Sequence, residues 1–263
     1  MVPRRLKMII AYDGSKFYGF QRQKNFPTVQ EELELALSTI LNHEVKVVCA
    51  GRTDRGVHAL GQVVSFKTTN PLPCEVLYRG INALLDPAIS VRSIEQAHPK
   101  FHARFWASSR VYRYHIVTSP LKIVPGNKLV ACINEPLALE PMRDAVVDFI
   151  GEHDFTSFRN SRGADRNPIR KILRFEVNPG GFDLPGETGE MEKYTFEVEG
   201  ESFLSGMVRI MIGTLIRIGS GKYPSSIIPE LLEKRDPACA SPPAPPEGLY
   251  LVRVNYPDDS TMH

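Results

Sequence analysis

A carboxylate set between two arginines is the first feature of this sequence with chemical potential: Gly51-Arg52-Thr53-Asp54-Arg55-Gly56-Val57-His58-Ala59. Strand-like segments flank it, and a simple hairpin would need only a few turn residues there. The two glycines allow close backbone approach or positive φ. Arg52 and Arg55 put the Asp54 anion among cations, and loops carried on rigid strands are where catalytic groups tend to sit. A carboxylate in that setting can serve as a nucleophile or a general base. The same residues also suit a turn in which Asp54 is a cap paired with Arg52 for structure, and the local pattern leaves both readings open.

Two further side chains carry comparable weight. Arg209 is surrounded in sequence by Phe203, Leu204, Met207, Val208, Ile210, Met211, Ile212, Leu215 and Ile216. An unpaired buried charge is very costly, so a guanidinium in so apolar a helix calls for a facing carboxylate. Asp54 is a candidate for it; the alternative is an arginine that extends its stem to water. Tyr112 lies in Arg110-Val111-Tyr112-Arg113-Tyr114, where period-two alternation puts Arg110, Tyr112 and Tyr114 on one strand face. Aromatic and cationic groups together suit a base stacked beside a phosphate, and a core tyrosine with a satisfied hydroxyl fits the spacing equally.

These residues need elements to hold them. Leu6, Met8, Ile10 and Tyr12 alternate as a strand, and Thr28-Val29-Gln30-Glu31 reads as a capping box. Val29, Leu33, Ala36, Leu37 and Ile40 then repeat at helical spacing. Residues 44–50 and 60–68 read as strands on either side of the Asp54 loop, 74–85 as a helix and 89–94 as a strand. The order β-α-β-β-α-β is the ferredoxin-like arrangement, with both helices on one sheet face. A second α+β half begins near Trp106, with strands at 109–117, 169–177, 194–200 and 249–256. Helices are expected at 141–150, 201–219 and 225–233. The domain division is thus 1–105 and 106–263, and the prolines at 242, 243, 245 and 246 read as a stiff connector that positions the last strand.

Composition narrows the class. The 263 residues are 42% hydrophobic and 24% charged, the balance of a folded protein, and no run approaches the roughly 18 apolar residues of a membrane span. Residues 1–7 lead straight into an alternating segment with no signal-peptide apolar core, so the expected location is cytoplasmic. The four cysteines are widely separated, without a C-x-x-C pair, which argues for reduced thiols and no zinc knuckle. His98 and His102 flank Pro99 without the glutamate of a zincin helix, so no metal site is expected. Net charge is only +2, but it is segregated. Residues 159–174 hold Arg159, Arg162, Arg166, Arg170, Lys171 and Arg174 against Asp165 alone, and 100–115 hold Lys100, Arg104, Arg110 and Arg113 with no acid. Residues 183–201 carry seven acids and only Lys193. Such segregation gives a face on which phosphates can release counterions, or simply a solvated charged surface.

Together these blocks resemble the tRNA pseudouridine synthase A family. The resemblance rests on the residues from Gly51 to Ala59, on Tyr12-Asp13-Gly14 through Phe20-Gln21, and on Thr28-Val29-Gln30-Glu31. It continues through Phe101-His102-Ala103-Arg104, Arg110-x-Tyr112-x-Tyr114 and His153-Asp154-Phe155. Phe203-Leu204-x-x-Met207-Val208-Arg209, Gly213-Thr214-Leu215 and Pro245-Pro246-Glu247-Gly248-Leu249 complete it. The resemblance implies two ferredoxin-like halves joined into a pseudouridine synthase core, with a central mixed or antiparallel sheet and a catalytic cleft. It implies Asp54 as the catalytic aspartate, Arg52 as a substrate-site arginine, and Tyr112 as the residue stacked on the target uracil. Arg209 would ion-pair with the aspartate, and Leu249 would lie under the ring. Arg55 departs from the small residue usual at its position, and it joins Arg104, Arg110, Arg159, Arg162 and Arg170 as candidate RNA contacts.

The implied reaction converts uridine to pseudouridine at positions 38, 39 and 40 of the tRNA anticodon stem-loop, by a homodimer without a cofactor. It is an isomerisation: the N1–C1′ bond breaks, the base turns and C5 rejoins. Asp54 could attack C1′, attack C6 or remove the C2′ proton. A non-catalytic ferredoxin-like tRNA-binding or RNA-folding protein would share the basic face without requiring Asp54. A carboxylate-based glycoside hydrolase would require a second placed carboxylate, and the Asp54 loop contains none.

Overall fold

The computed structural model describes residues 3–119, 128–160, 167–183 and 191–257, and its class is α+β. The chain forms two compact units, Met1–Ser108 with Tyr250–His263, and Ser109–Leu249.

In the first unit the order is β1 (Arg4–Tyr12), α1 (Val29–Leu41), β2 (Val48–Cys49), β3 (His58–Thr68), α2 (Cys74–Leu84) and β4 (Ile89–Ala97). β10 (Leu249–Asn255) belongs to it from Tyr250 onward. β1 lies between β4 and β3, antiparallel to both, and β2 is antiparallel to β3. Alternation decides which side of this sheet is core. Leu6 and Met8 face Phe66 and Val64 in register, and all four are buried together with Leu33, Leu37, Leu77 and Ile81 of the helices. The intervening positions make the other face. There Lys7 pairs with Glu95 at 2.8 Å, and Ile9, Leu60, Val63, Val252 and Val254 line an open groove of about 440 Å³ with Arg92 and Arg253.

Three local expectations change. Residues 44–50 form a strand only at Val48–Cys49. The amides of Val45 and Val47 are taken instead by Ser38 Oγ (3.0 Å) and Glu34 Oε1 (3.1 Å), so α1 side chains claim donors that a ladder would need. The capping box at Thr28 is not used, since Thr28 has cap-like φ −138° but makes no side-chain cap bond. The amides of Val29 and Gln30 donate to the carbonyls of Gly19 (3.3 Å) and Phe20 (2.9 Å), so the loop after β1 caps the helix with its backbone.

The second unit contains β5 (Ser109–Thr118), β6 (Ala131–Ile133), α3 (Leu139–Val146), β7 (Gly151–Asp154), β8 (Ile169–Pro179), β9 (Glu192–Gly200), α4 (Met207–Gly219) and α5 (Ile227–Lys234). β9 lies between β5 and β8, and β7 follows β8, all antiparallel; β6 is parallel to β5. The third correction is α4, which begins at Met207 rather than at residue 201. Gly206 adopts φ 74° and stops the helix there, leaving Phe203 and Leu204 in the preceding loop.

On β5 the ring of His115 packs against Phe182 (4.4 Å) with Nδ1 3.1 Å from Thr195 Oγ1. Burial, and then the charge of Arg113, lower its pKa to about 4. The fold therefore favours neutral His115, a contribution complete above the unfolded pKa near 6.5 and lost as pH falls toward 4. Thermal unfolding from pH 7 to pH 4 should show a shallower decline for His115→Leu than for the wild type.

Candidate active site

Asp54 sits on a tight turn between β2 and β3, half-buried, between the exposed arginines Arg52 and Arg55. The Val57 amide donates to the Asp54 carbonyl at 3.2 Å, and Gly56 takes φ 79°, the conformation such a turn demands of its third residue. The turn is held from several sides. The Tyr12 hydroxyl and Thr53 Oγ1 are 2.8 Å apart in a buried contact, and Gln62 Nε2 donates to the Gly51 carbonyl at 2.6 Å. The Phe20 amide donates to the Thr53 carbonyl at 3.1 Å. Gly19 has φ 93°, and a Cβ there would press on the backbone from Thr53 to Arg55. One residue before β3 gains its regular register, Gly14 lies so close to Val57 that a Cβ would overlap its carbonyl.

His58 continues this support into β3. The Gly14 amide donates to its Nδ1 at 3.1 Å, Asp13 Oδ1 lies 3.3 Å away, and the ring stacks on Tyr250 with centroids 4.6 Å apart. Arg55 points its guanidinium over the Tyr18 ring (4.1 Å), and Tyr18 stacks on Phe26 (4.2 Å, 24°). The arginine that departs from the usual small residue is thus engaged with the loop after β1. Thr53→Val removes the Tyr12 contact with little change of shape and should cost about 0.5–1.5 kcal/mol, the net worth of one hydrogen bond, because the Tyr12 hydroxyl keeps Gln62 Nε2 at 3.5 Å. Chemical denaturation of the variant checks this.

Gln62 and His58 are supports that residue types alone did not single out. Both are buried polar groups on β3, as are Ser65 and Thr68, and a polar residue at an inward strand position is the signal that could have found them.

Tyr112, Arg209 and Leu249 lie in the second unit. Tyr112 is buried on β5, edge-on to Phe203 (5.2 Å, 87°). Arg110 and Tyr114 are buried on the same strand, as alternation requires. Arg110 Nη1 donates to the Glu201 carbonyl (2.5 Å). Arg113, on the opposite face, pairs with Glu197 at 2.7 Å, and Arg174 also bonds Glu197. Burial raises the Glu197 pKa, but the two arginines outweigh it and the net shift is downward.

Arg209 lies half-buried on α4, and its Nε donates to the Ala244 carbonyl (2.8 Å) while the Ala244 amide donates back to the Arg209 carbonyl (2.8 Å). Tyr114 donates its hydroxyl to the Pro245 carbonyl (2.8 Å), and Gly213 admits the Pro242 carbonyl. The proline-rich run is therefore laid across α4 and β5 by backbone contacts, and it delivers buried Leu249 to the start of β10. Among the RNA-contact candidates, Arg104 is exposed, Arg159 and Arg170 are half-buried, and Arg162 lies outside the described residues. Arg170 Nη1 bonds the carbonyls of Asn167 and Ile169, each at 2.7 Å. Among the described residues no group of three or more His, Cys, Asp or Glu could hold a metal ion.

Comparison with known proteins adds an independent line. A family model described as tRNA pseudouridine synthase matches residues 8–106 and 145–257. A tRNA pseudouridine synthase A of Exiguobacterium sp. is 40% identical over 255 residues, covering 96% of this chain and 98% of the relative. The enzymes of the same name from Enterobacter sp. and Escherichia coli strain SMS-3-5 are each 41% identical over 254 residues, covering 97% of this chain and 90% of the relative. Among solved structures, a Cbf5–Nop10–Gar1 complex aligns with a TM-score of 0.34 and 15% identity, over 96% of this chain and 51% of that one.

Proposed function

This chain belongs to the tRNA pseudouridine synthase family, and from that membership we infer a tRNA uridine-to-pseudouridine isomerase that uses Asp54 as its catalytic carboxylate. The observation that carries the residue assignment is the Asp54 turn, a half-buried carboxylate braced by Tyr12, Phe20 and Gln62 through the residues beside it. Such bracing is the pre-organisation that positioned catalysis requires.

The finer reading is ours as well. The substrate is the anticodon stem-loop, with uridines at positions 38, 39 and 40 as targets. The target base leaves its stack, at a cost of a few kcal/mol, and is received by Tyr112. Arg52 holds the displaced nucleotide, Arg209 orients the carboxylate, and Leu249 packs under the ring. A dry surrounding keeps water from capturing the detached sugar. Asp54 acts on C1′, on C6 or on the C2′ proton. Isomerisation has no redox change, so the chemistry calls for no cofactor. The strand order β4-β1-β3-β2 in the first unit supports a ferredoxin-like half. A second such half in 106–263, completing the domain division at 105, is proposed on the family resemblance, as are the homodimer and a cytoplasmic location. No helix of the described residues is long and apolar enough to cross a membrane.

The test uses tRNA transcripts with a single uridine at position 38, 39 or 40, and maps pseudouridine by carbodiimide labelling and reverse transcription. Modification at these positions is expected, with tRNA affinity falling steeply as salt rises, by a log–log slope of about −0.9 per phosphate neutralised. Modification elsewhere, or a flat salt response, contradicts the anticodon-arm reading.

A further inference from the structure

The connection between β4 and β5 carries the most exposed large apolar side chain of the described residues, Phe105 at 75% exposure. Single exposed apolar residues are ordinary on protein surfaces. This one differs in how firmly it is held and in what surrounds it. The Ala103 amide donates to Ser65 Oγ (3.3 Å), and the Ala103 carbonyl accepts the Tyr256 hydroxyl (2.7 Å). The amides of Arg104 and Phe105 both donate to His102 Nδ1 at 3.2 Å, and the Trp106 amide closes on the His102 carbonyl at 3.0 Å. Trp106 packs in turn against His98 (5.5 Å) and Phe101 (5.6 Å). The turn is thus anchored at both ends while its tip faces solvent.

The Phe105 ring is backed by the His102 imidazole, stacked at 4.2 Å and 25°, and the Arg104 guanidinium lies 5.9 Å from the ring centroid. Burial, and then the charges of Arg5 and Arg104, lower the His102 pKa, which suits a neutral ring whose Nδ1 accepts two amides. Both Arg52 and Arg104 act electrostatically on the Cys49 thiol. Arg104, and Arg52 two residues ahead of Asp54, are thus both within electrostatic reach of Cys49 on β2. The acid on adjoining β4, Glu95, is engaged by Lys7 at 2.8 Å.

We propose that Phe105, backed by His102 and flanked by Arg104, is a stacking platform for an unpaired nucleobase of the tRNA other than the target uracil, with Arg104 and Arg5 facing the neighbouring phosphates. The proposal rests on tRNA being the substrate. Every base offers a π-face, so such a platform holds RNA without reading its sequence, and a guanidinium beside it adds attraction to base and phosphate alike. A second copy of the chain is the less suitable occupant, because a two-fold contact through this tip would bring the Arg5 and Arg104 charges of the two copies toward one another.

The test compares Phe105→Ala, Phe105→Trp and Arg104→Gln in the full chain, with tRNA Kd at several salt concentrations, kcat and KM, and sedimentation. Phe105→Ala should raise Kd and KM about ten-fold, with the loss falling on KM rather than kcat and the salt slope unchanged. Phe105→Trp should restore affinity, and Arg104→Gln should reduce the salt slope by about one. Unchanged Kd and KM in Phe105→Ala overturn the platform, as does a shift in oligomeric state with tRNA affinity intact. Release of tritium from C5-labelled tRNA by the wild type separates the two failures: its loss sinks the enzyme reading, whereas its persistence beside an unaffected Phe105→Ala sinks only the platform.

Discussion

Asp54→Asn is expected to lower the single-turnover rate of pseudouridine formation by about three orders of magnitude or more, with folding and tRNA binding retained. The amide matches the carboxylate in size but is neither a nucleophile nor a base, so the chemical step loses its agent whichever atom Asp54 meets. The fold should tolerate the change. The Tyr12, Phe20 and Gln62 bonds that hold the turn reach it through Thr53 and Gly51, and the turn itself closes through the Asp54 carbonyl. Asp54→Glu keeps the charge but moves it by one methylene, and a displacement near 1 Å costs on the order of a hundred-fold. Nucleoside analysis of the product tRNA measures both rates. A non-catalytic RNA-binding protein would show no pseudouridine with any of the three proteins.

Gly14→Ala should have the second largest effect, although residue 14 bears no reactive group. A Cβ there would overlap the Val57 carbonyl and crowd the Val57 amide nitrogen at 2.9 Å. Backbone cannot rotate out of the way as a side chain can, so the loop after β1 and the Asp54 turn must separate. That separation also strains the Gly14 amide bond to His58 Nδ1. A loss of about a hundred-fold in kcat is expected from the displaced carboxylate, with about 1–3 kcal/mol of destabilisation from overpacking. Gly80→Ala on α2 is the matched control. Its Cβ would meet only the Ile40 side chain, Cδ1 at 3.2 Å and Cγ1 at 3.9 Å, and alanine favours a helix interior by nearly 1 kcal/mol over glycine. It should keep full activity. Equal kinetics for the two variants would show that the Gly14 approach does not position the turn.

Much of this architecture is legible in local sequence because local periodicity expresses it. The alternation of Leu6, Met8 and Ile10 follows directly from a sheet with one buried face, and the glycine-flanked Asp54 marks a turn wherever its neighbours lie. What escapes is set by partners distant in sequence. The Thr28 capping box goes unused because Gly19 and Phe20 supply the carbonyls first. Residues 44–47 leave the ladder because Glu34 and Ser38 of α1 take the donors. Phe203 and Leu204 extend the apolar pattern of α4, but Gly206 at positive φ ends the helix before them. The roles of Gln62 and His58 become visible only with the sheet register in hand, since the Gly51 carbonyl and the Gly14 amide that they meet lie well away in the chain. Arg209 illustrates a middle case: its apolar surroundings call for a polar partner, and one that it has is the Ala244 carbonyl delivered by the proline-rich run.

The measurement that bears most directly on the central claim is tritium release from tRNA labelled at uracil C5, since rejoining the base through C5 must expel that hydrogen. The wild-type protein should release tritium from the labelled uridines without added cofactor, and Asp54→Asn, binding the same tRNA, should release none above background. Equal release by both proteins, or none from the wild type, would contradict the assignment of Asp54 as the catalytic group of a pseudouridine-forming enzyme.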